Sequence, residues 1–277
     1  MTRLIDIQDL RFTYAGGTEA LAGVDLRVAA GEFIAVVGAN GSGKSTLARL
    51  LGGLECPSAA AQAVVCGHDL LTHTGRMAAR RDVGVLFQDP ENQFVGSNVE
   101  EDLAFGPENL GWSPERIQSR VDELLAAFGL EDLRTREPHL LSGGQQQRTA
   151  LAGVLALPRR VLVLDEPTAM LDPAGREEVL RAVGGLRRDE LAVVYVTQEM
   201  DEVAEARRVV ALRAGRVAFD GPPPALFADA ALVGELSLGV PVPAEVALEL
   251  DHRGRSLGTL PLTLDALTAA LAGSRTS

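Results

Sequence analysis

The chain of 277 residues has one lysine, two cysteines, a deficit of positive charge and no long apolar run, and each shortage removes a class of explanation. Cys56 and Cys66 stand alone, with no Cys-x-x-Cys pair and no histidine cluster beside them, so two inert thiols are expected rather than a zinc site or a disulfide framework. Lys+Arg of 26 against Asp+Glu of 38 gives a formal charge of -12, which argues against a nucleic-acid groove, where clustered positive charge must meet phosphate. No apolar stretch reaches the ~18 to 20 residues that cross a bilayer, and the N-terminus, Met-Thr-Arg-Leu-Ile-Asp, lacks the apolar core of a secretory signal. A cytoplasmic location is expected. Every basic side chain but Lys44 is arginine, so Lys44 marks a position where a compact ammonium fits and a planar guanidinium does not.

What is present is enough for a large core. Hydrophobic residues make up 46% of the chain and charged ones 23%, with 29 Gly and 14 Pro to punctuate it. Alternation through Leu4–Ile7 and Val24–Val28 predicts strands, and the continuous runs Phe33–Val37 and Val161–Leu164 predict strands buried on both faces. Further strands are expected at Ala63–Val65, Val83–Phe87 and Leu191–Val196, with a hairpin over Val209–Phe219 turning at Gly215. Helices are expected over Lys44–Leu54 and Pro173–Leu186, and a mostly helical insert over about 98–157 that includes Arg116–Phe128 after the Ser113-Pro114-Glu115 start. Pro222-Pro223-Pro224 is expected to break regular structure, dividing a main domain over 1–221 from a small C-terminal appendage over 222–277 with helical leucine spacing at 262, 264, 267 and 271.

Between the Phe33–Val37 strand and the first helix lies Gly38-Ala39-Asn40-Gly41-Ser42-Gly43-Lys44-Ser45-Thr46, the G-x-x-x-x-G-K-[ST] pattern of a phosphate-binding loop. Gly38, Gly41 and Gly43 permit tight turns whose N–H groups point at phosphate, and the following helix aims its positive end at the same place. Lys44 would reach the β and γ phosphates, and Ser45 would offer its hydroxyl to Mg2+, which prefers oxygen ligands. A second element, Val161–Leu164 followed by Asp165-Glu166, ends a buried strand in two carboxylates where open α/β sheets bind ligands. Asp165 would hold the metal, and Glu166 would polarise an attacking water.

The third element is Leu141-Ser142-Gly143-Gly144-Gln145, which also reads as a helix capping box. Placed between a phosphate loop and Asp-Glu, it resembles the signature of ATP-binding-cassette (ABC) ATPases, over about residues 3 to 221. The resemblance implies a P-loop NTPase cassette of the α/β class: a mixed β core with an antiparallel part, a helical insert, and here a small C-terminal appendage. It implies that Tyr14 stacks on the adenine of ATP and that Gln88 touches the metal and the attacking water. Ser142, Gly143, Gly144 and Gln145 would contact ATP held by a second subunit, and Asp172, in Ala169-Met170-Leu171-Asp172, would lie in the loop crossing the dimer interface. One position departs from the pattern. After Val193–Thr197 the family usually has a histidine that hydrogen-bonds the γ-phosphate; here Gln198 stands, able to donate a hydrogen bond but not to become cationic near neutral pH. A competent but slower site is expected, with Glu166 and Gln198 as its catalytic pair.

Phe87–Phe94, Thr168–Pro173 and a C-terminal extension of about 50 residues resemble the ATPases of energy-coupling factor (ECF) importers, including the cobalt and nickel type. That resemblance implies an ATPase dimer of identical or similar chains on the cytoplasmic face of the membrane, held together partly by the C-terminal region. Its partners would be an integral membrane scaffold and a substrate-binding membrane component, without nucleic acid. Asp89, Glu91, Glu100, Glu101 and Asp102 would offer acid to arginine-bearing coupling helices, a solvated acidic face being the alternative. The rival readings are the ATPase of a conventional binding-protein-dependent importer and a non-transport ABC protein.

Overall fold

The continuous apolar runs become central strands. In the computed structural model, which describes residues 2–186, 190–204 and 206–273, β3 (Phe33–Val37), β7 (Val161–Asp165) and β8 (Ala192–Val196) are buried along their whole length. With β6 (Val83–Leu86), β9 (Arg208–Arg213) and β10 (Arg216–Gly221) they form a six-stranded sheet ordered β10-β9-β3-β8-β7-β6. All pairings are parallel except the β9–β10 hairpin. That hairpin turns through Ala214 and Gly215, at φ 48° and 73°, as the two-residue turns that match strand twist require. Successive side chains serve opposite faces. Ala35, Val37, Leu162, Leu164, Val193 and Tyr195 enter one core, while Ile34, Val36, Val161, Val163 and Val194 enter the other. Two buried faces explain why these strands are apolar throughout rather than alternating.

The second core lies between this sheet and an antiparallel one, ordered β2-β1-β4-β5 from β1 (Arg3–Thr13), β2 (Glu19–Ala29), β4 (Gln62–Val65) and β5 (His68–Asp69). Ile5, Ile7, Leu26 and Val28 meet Leu47, Leu50 and Leu51 of α1 (Lys44–Leu51) there. Helix α1 stops three residues short of the expected Leu54 because Gly52 caps it and Gly53 turns at φ 67°. Helix α2 (His73–Asp82), N-capped by Thr72, precedes β6.

The first core is roofed by helices. The insert forms α3 (Val99–Asn109), α4 (Pro114–Phe128) and α5 (Gly143–Leu155), followed later by α6 (Pro173–Gly184) and the short α7 (Met200–Val203). Ser113 caps α4, Gly129 ends it in the left-handed conformation, and Val121, Leu124, Leu125 and Phe128 form its buried stripe.

The proline triplet starts a helix instead of only ending structure. Pro222 is the N-cap of α8 (Pro223–Ala228), where the N–H groups that proline lacks have no intrahelical partner. Helices α8 and α9 (Ala230–Leu236) lie on β9 and β10, and their Leu226, Phe227, Val233 and Leu236 join the first core. Beyond them α10 (Val242–His252) and α11 (Leu264–Gly273) pack on each other. Leu267 is buried, whereas Leu264 is exposed. Among the described residues no helix is long and apolar enough to cross a membrane.

Candidate active site

The loop joining β3 to α1 is shaped by its glycines. Gly38 and Gly43 have φ of 146° and 106°. A Cβ on Gly38 would lie 2.3 Å from the Leu212 carbonyl oxygen, and one on Gly43 would lie 2.6 Å from that of Ala20, so no side chain fits either place. No side chain caps α1, which leaves its leading N–H groups free to face an anion. Lys44 is buried, and its ammonium donates to the carbonyls of Gly38 (2.8 Å) and Ala39 (3.2 Å), which centres the charge within the loop. Burial pulls the Lys44 pKa down, opposed by the carboxylates of Glu166 and Asp165. Asn40 and Gly41 form the exposed lip, while the Ser42 hydroxyl is buried without a hydrogen-bond partner among the described residues. Tyr14, on the chain just after β1, reaches the same helix: its hydroxyl lies 2.9 Å from Thr46 Oγ1, and its ring stands edge-on to Phe12 at 4.9 Å.

The end of β7 brings the two carboxylates to this loop. Ser45 Oγ donates to Asp165 Oδ1 at 3.1 Å across 120 positions of sequence. Burial pushes Asp165 above the ordinary carboxylate value, with the Ser45 hydrogen bond pulling the other way and Glu166 adding like-charge repulsion. Glu166 takes the left-handed φ of 50°, a strain of about 1 to 3 kcal/mol that persists only where neighbours enforce it. Its N–H is pinned to the Val196 carbonyl at 2.9 Å, and its Oε1 accepts from Gln198 Nε2 at 2.5 Å. Lys44, Ser45, Asp165, Glu166 and Gln198 thus converge at the carboxyl ends of β3, β7 and β8.

Gln88 follows β6 on the same edge, but its side chain is exposed and makes no hydrogen bond to described residues; only its carbonyl is held, by Gln147 Nε2 at 3.5 Å. The Ser142–Gln145 segment lies apart from the loop. Ser142 caps α5 in a full capping box: its hydroxyl accepts from the Gln145 N–H, and the Gln145 side chain accepts from the Ser142 N–H at 3.0 Å. Ser142 and Gly143 are exposed, and none of these four residues hydrogen-bonds residues 38–46. A Cβ on Gly144 would come 2.9 Å from Gly175 Cα, so this glycine sets the close approach of α5 to α6. Asp172 is exposed and caps α6, accepting from the Gly175 N–H at 2.8 Å.

Known proteins resemble the chain along nearly its whole length. Residues 21–169 match the ABC transporter family. The energy-coupling factor transporter ATP-binding protein EcfA1 of Symbiobacterium thermophilum is 49% identical over 253 residues, covering 91% of this chain and 88% of that protein. EcfA1 of Clostridium perfringens is 40% identical over 274 residues, 97% of each chain. The chain belongs to the ABC transporter family. Among solved structures of such ATPases, cbiO1 of Clostridium perfringens, part of the ABC transporter complex cbiONQ, superposes with a TM-score of 0.76 at 33% identity, covering 92% of this chain and 98% of that one. The ATP-binding cassette MJ0796, in a dimeric post-hydrolysis state bound to ADP and phosphate, gives 0.71 at 28% identity over 79% of this chain and 98% of that one.

Membership makes the chain an ABC ATPase and a binder of ATP. Three supports of this ABC site were not foreseen from sequence. Gln146, buried on α5, donates to Glu91 (3.1 Å) and to the Pro138 carbonyl (3.2 Å), and with Gln147 it ties the signature helix to the segment after Gln88. The glutamine run Gln145–Gln147 was the signal, since consecutive amides on one helix face three directions. Glu202 on α7 is buried among Thr168, Tyr195, Thr197 and Arg176, and a glutamate among charged surface residues gives no such signal. The acidic stretch is largely engaged within the chain. Asp89 caps the turn holding Glu91 and Asn92, Glu100 pairs with Arg134 at 2.7 Å, and Asp102 accepts from the N–H groups of Val95 and Gly96.

Proposed function

We propose that this chain is the ATP-hydrolysing subunit of an ECF importer, working on the cytoplasmic face of the membrane with a scaffold and a substrate-binding membrane component. The observation that carries the proposal is the pairing of the Lys44–Ser45–Asp165–Glu166–Gln198 cluster with 40 to 49% identity to EcfA1 proteins over almost the whole chain. Tyr14 offers a ring for adenine, the loop from Gly38 to Thr46 wraps the phosphates, and Lys44 balances their charge. Glu166 takes a proton as a water oxygen bonds to the γ phosphorus and the bond to the bridging β–γ oxygen breaks, giving ADP and phosphate. Gln198 holds Glu166 in place and has an amide available for the γ-phosphate.

Mg2+ fits the residues present. Ser45 and Asp165 place two hard oxygens together, and the buried Asp165 carboxylate gains from a cation. Among the described residues no group of three or more His, Cys, Asp or Glu could hold a metal ion; Mg2+ on Ser45 and Asp165 would take its remaining oxygens from phosphates and water, with Gln88 a further candidate. When bound, Mg2+ neutralises charge on the phosphates.

The exposed Ser142 and Gly143, remote in hydrogen bonding from this chain's own loop, support a head-to-tail dimer in which each signature completes the other subunit's site. Asp172 is exposed at the start of α6, next to Leu171, which lies 3.3 Å from the place of a Cβ on Gly143, and is available for contact across that interface. The α10–α11 pair, with Val242, Val246 and Leu264 exposed, supplies apolar surface for the C-terminal contact between subunits. A cleft of about 440 Å3 between α3 and α4, lined by Glu100, Glu101, Glu108, Trp112, Ile117 and Val121, suits a basic amphipathic segment of the scaffold.

Affinity purification of the tagged chain from gently solubilised membranes of its own cell, with mass spectrometry of what accompanies it, tests the assignment. A scaffold with a small substrate-binding membrane protein is the expected result. A conventional permease pair with a soluble binding protein, or a complex without membrane proteins, contradicts it.

A further inference from the structure

Glu202 has a side chain only 1% exposed, and the ATPase chemistry above makes no use of it. A carboxylate withdrawn from water is costly unless donors replace the water, and here four do. Its Oε1 accepts from Thr168 Oγ1 at 2.6 Å and pairs with Arg176 Nε at 2.9 Å. Its Oε2 accepts from Thr197 Oγ1 at 2.6 Å and from the Tyr195 hydroxyl at 3.0 Å. Burial and the neighbouring Glu202 both push Tyr195 away from ionising, so its hydroxyl stays a donor.

The four donors come from three separate segments, and each segment carries a residue of the site. Thr168 lies two positions after Glu166, in the loop that leads to Asp172. Thr197 immediately precedes Gln198. Arg176 sits in the first turn of α6, which Asp172 caps through the Gly175 N–H, and its own N–H donates to the Asp172 carbonyl at 2.9 Å. One carboxylate therefore joins the loop carrying the general base, the strand end carrying Gln198, and the helix start at the dimer face.

We propose that Glu202 is a positioning residue that sets the Glu166–Gln198 pair and links it to the Asp172 turn. The proposal rests on the ATPase reading of the site. The positive φ of Glu166 needs surroundings that over-determine it. Glu202 supplies them on both sides, holding Thr168 after Glu166 and Thr197 before the amide that meets it. A partner subunit pressing on the Asp172 turn displaces Arg176, and through Glu202 the displacement reaches Gln198.

The test uses the assembled complex and compares parent, Glu202→Gln, Gln198→Ala and the double variant for kcat and for the KM of ATP. Glutamine keeps the size of the side chain but replaces an acceptor oxygen with an amide nitrogen that cannot accept from threonine or arginine. The expected result is a fall of about tenfold or more in kcat for Glu202→Gln with KM held within about threefold. In the Gln198→Ala background the same change costs clearly less than in the parent, because one member of the pair it positions is gone. Unchanged kcat in Glu202→Gln, an equal loss in both backgrounds, or a rise in KM that accounts for the loss overturns the proposal. Should Glu202→Gln fail to assemble, Thr168→Val and Thr168→Ser decide the matter: valine lowers kcat and serine restores it, whereas parental kcat with valine overturns the proposal. A parent complex that does not hydrolyse ATP overturns the ATPase reading and this proposal with it; an active parent with an indifferent Glu202→Gln overturns this proposal alone.

Discussion

Gln198 stands where the ABC resemblance implies a histidine, and one of its two amide hydrogens is given to Glu166 at 2.5 Å, which leaves the other for the γ-phosphate. A neutral amide offers the γ-phosphate a weaker hydrogen bond than a cationic imidazole, since charge-assisted bonds are roughly twice as strong as neutral ones. Replacing it by histidine, Gln198→His, is expected to raise turnover of the assembled complex about fivefold, for an added interaction of about 1 kcal/mol. Equal rates for variant and parent contradict that. Cys66 gives a residue-scale check on the packing. Burial raises its thiol from 9.0 to about 11, while Cys56 is exposed. The folded chain holds the Cys66 proton more tightly than the unfolded one, so its contribution to stability is complete below pH 9.0 and is lost as pH rises towards about 11. At pH 8 a disulfide reagent should titrate one thiol in the native chain and two after unfolding; two fast thiols in the native state contradict the burial of Cys66.

At the scale of elements, the contact of α5 with α6 shows what sequence conveyed and what it withheld. The Ser142-x-x-Gln145 capping box was legible because both halves of it are local in sequence. The role of Gly144 was not, because the Gly175 backbone that excludes a side chain there lies 31 positions away. Gly144→Ala is expected to destabilise the chain by about 1 to 3 kcal/mol in urea unfolding, since backbone must move. Gly153→Ala, later on α5 with nothing nearer than 3.5 Å to its Cβ, should be neutral or stabilising by up to about 1 kcal/mol through helix propensity. Equal destabilisation by the two substitutions contradicts the close approach. The same division holds elsewhere. Strands β3, β7 and β8 announced themselves as apolar runs, whereas the α8 start at Pro223 read as a break because proline is both a terminator and a good first helical residue. Only the core beneath α8, which receives Leu226 and Phe227, decides between those roles.

For the whole molecule, the phosphate loop and the Asp165-Glu166 strand end were readable from 38–46 and 161–166, because those motifs are contiguous and their chemistry is local. What was not readable is how distant segments brace them: Gln147 on the Gln88 segment, and Glu202 among Thr168, Arg176, Tyr195 and Thr197. These depend on the order β9-β3-β8-β7-β6, which places strands far apart in sequence side by side. The same order puts Lys44, Asp165, Glu166 and Gln198 together at the carboxyl ends of neighbouring strands, where the proposed function has them act together to split ATP. The most direct measurement is steady-state ATP hydrolysis by the assembled complex carrying Glu166→Gln, beside the parent, with ATP binding measured on both. Loss of Glu166, the proposed general base, should lower kcat by about 100-fold or more while ATP affinity changes by less than about threefold. Hydrolysis by Glu166→Gln at the parental rate would contradict the account.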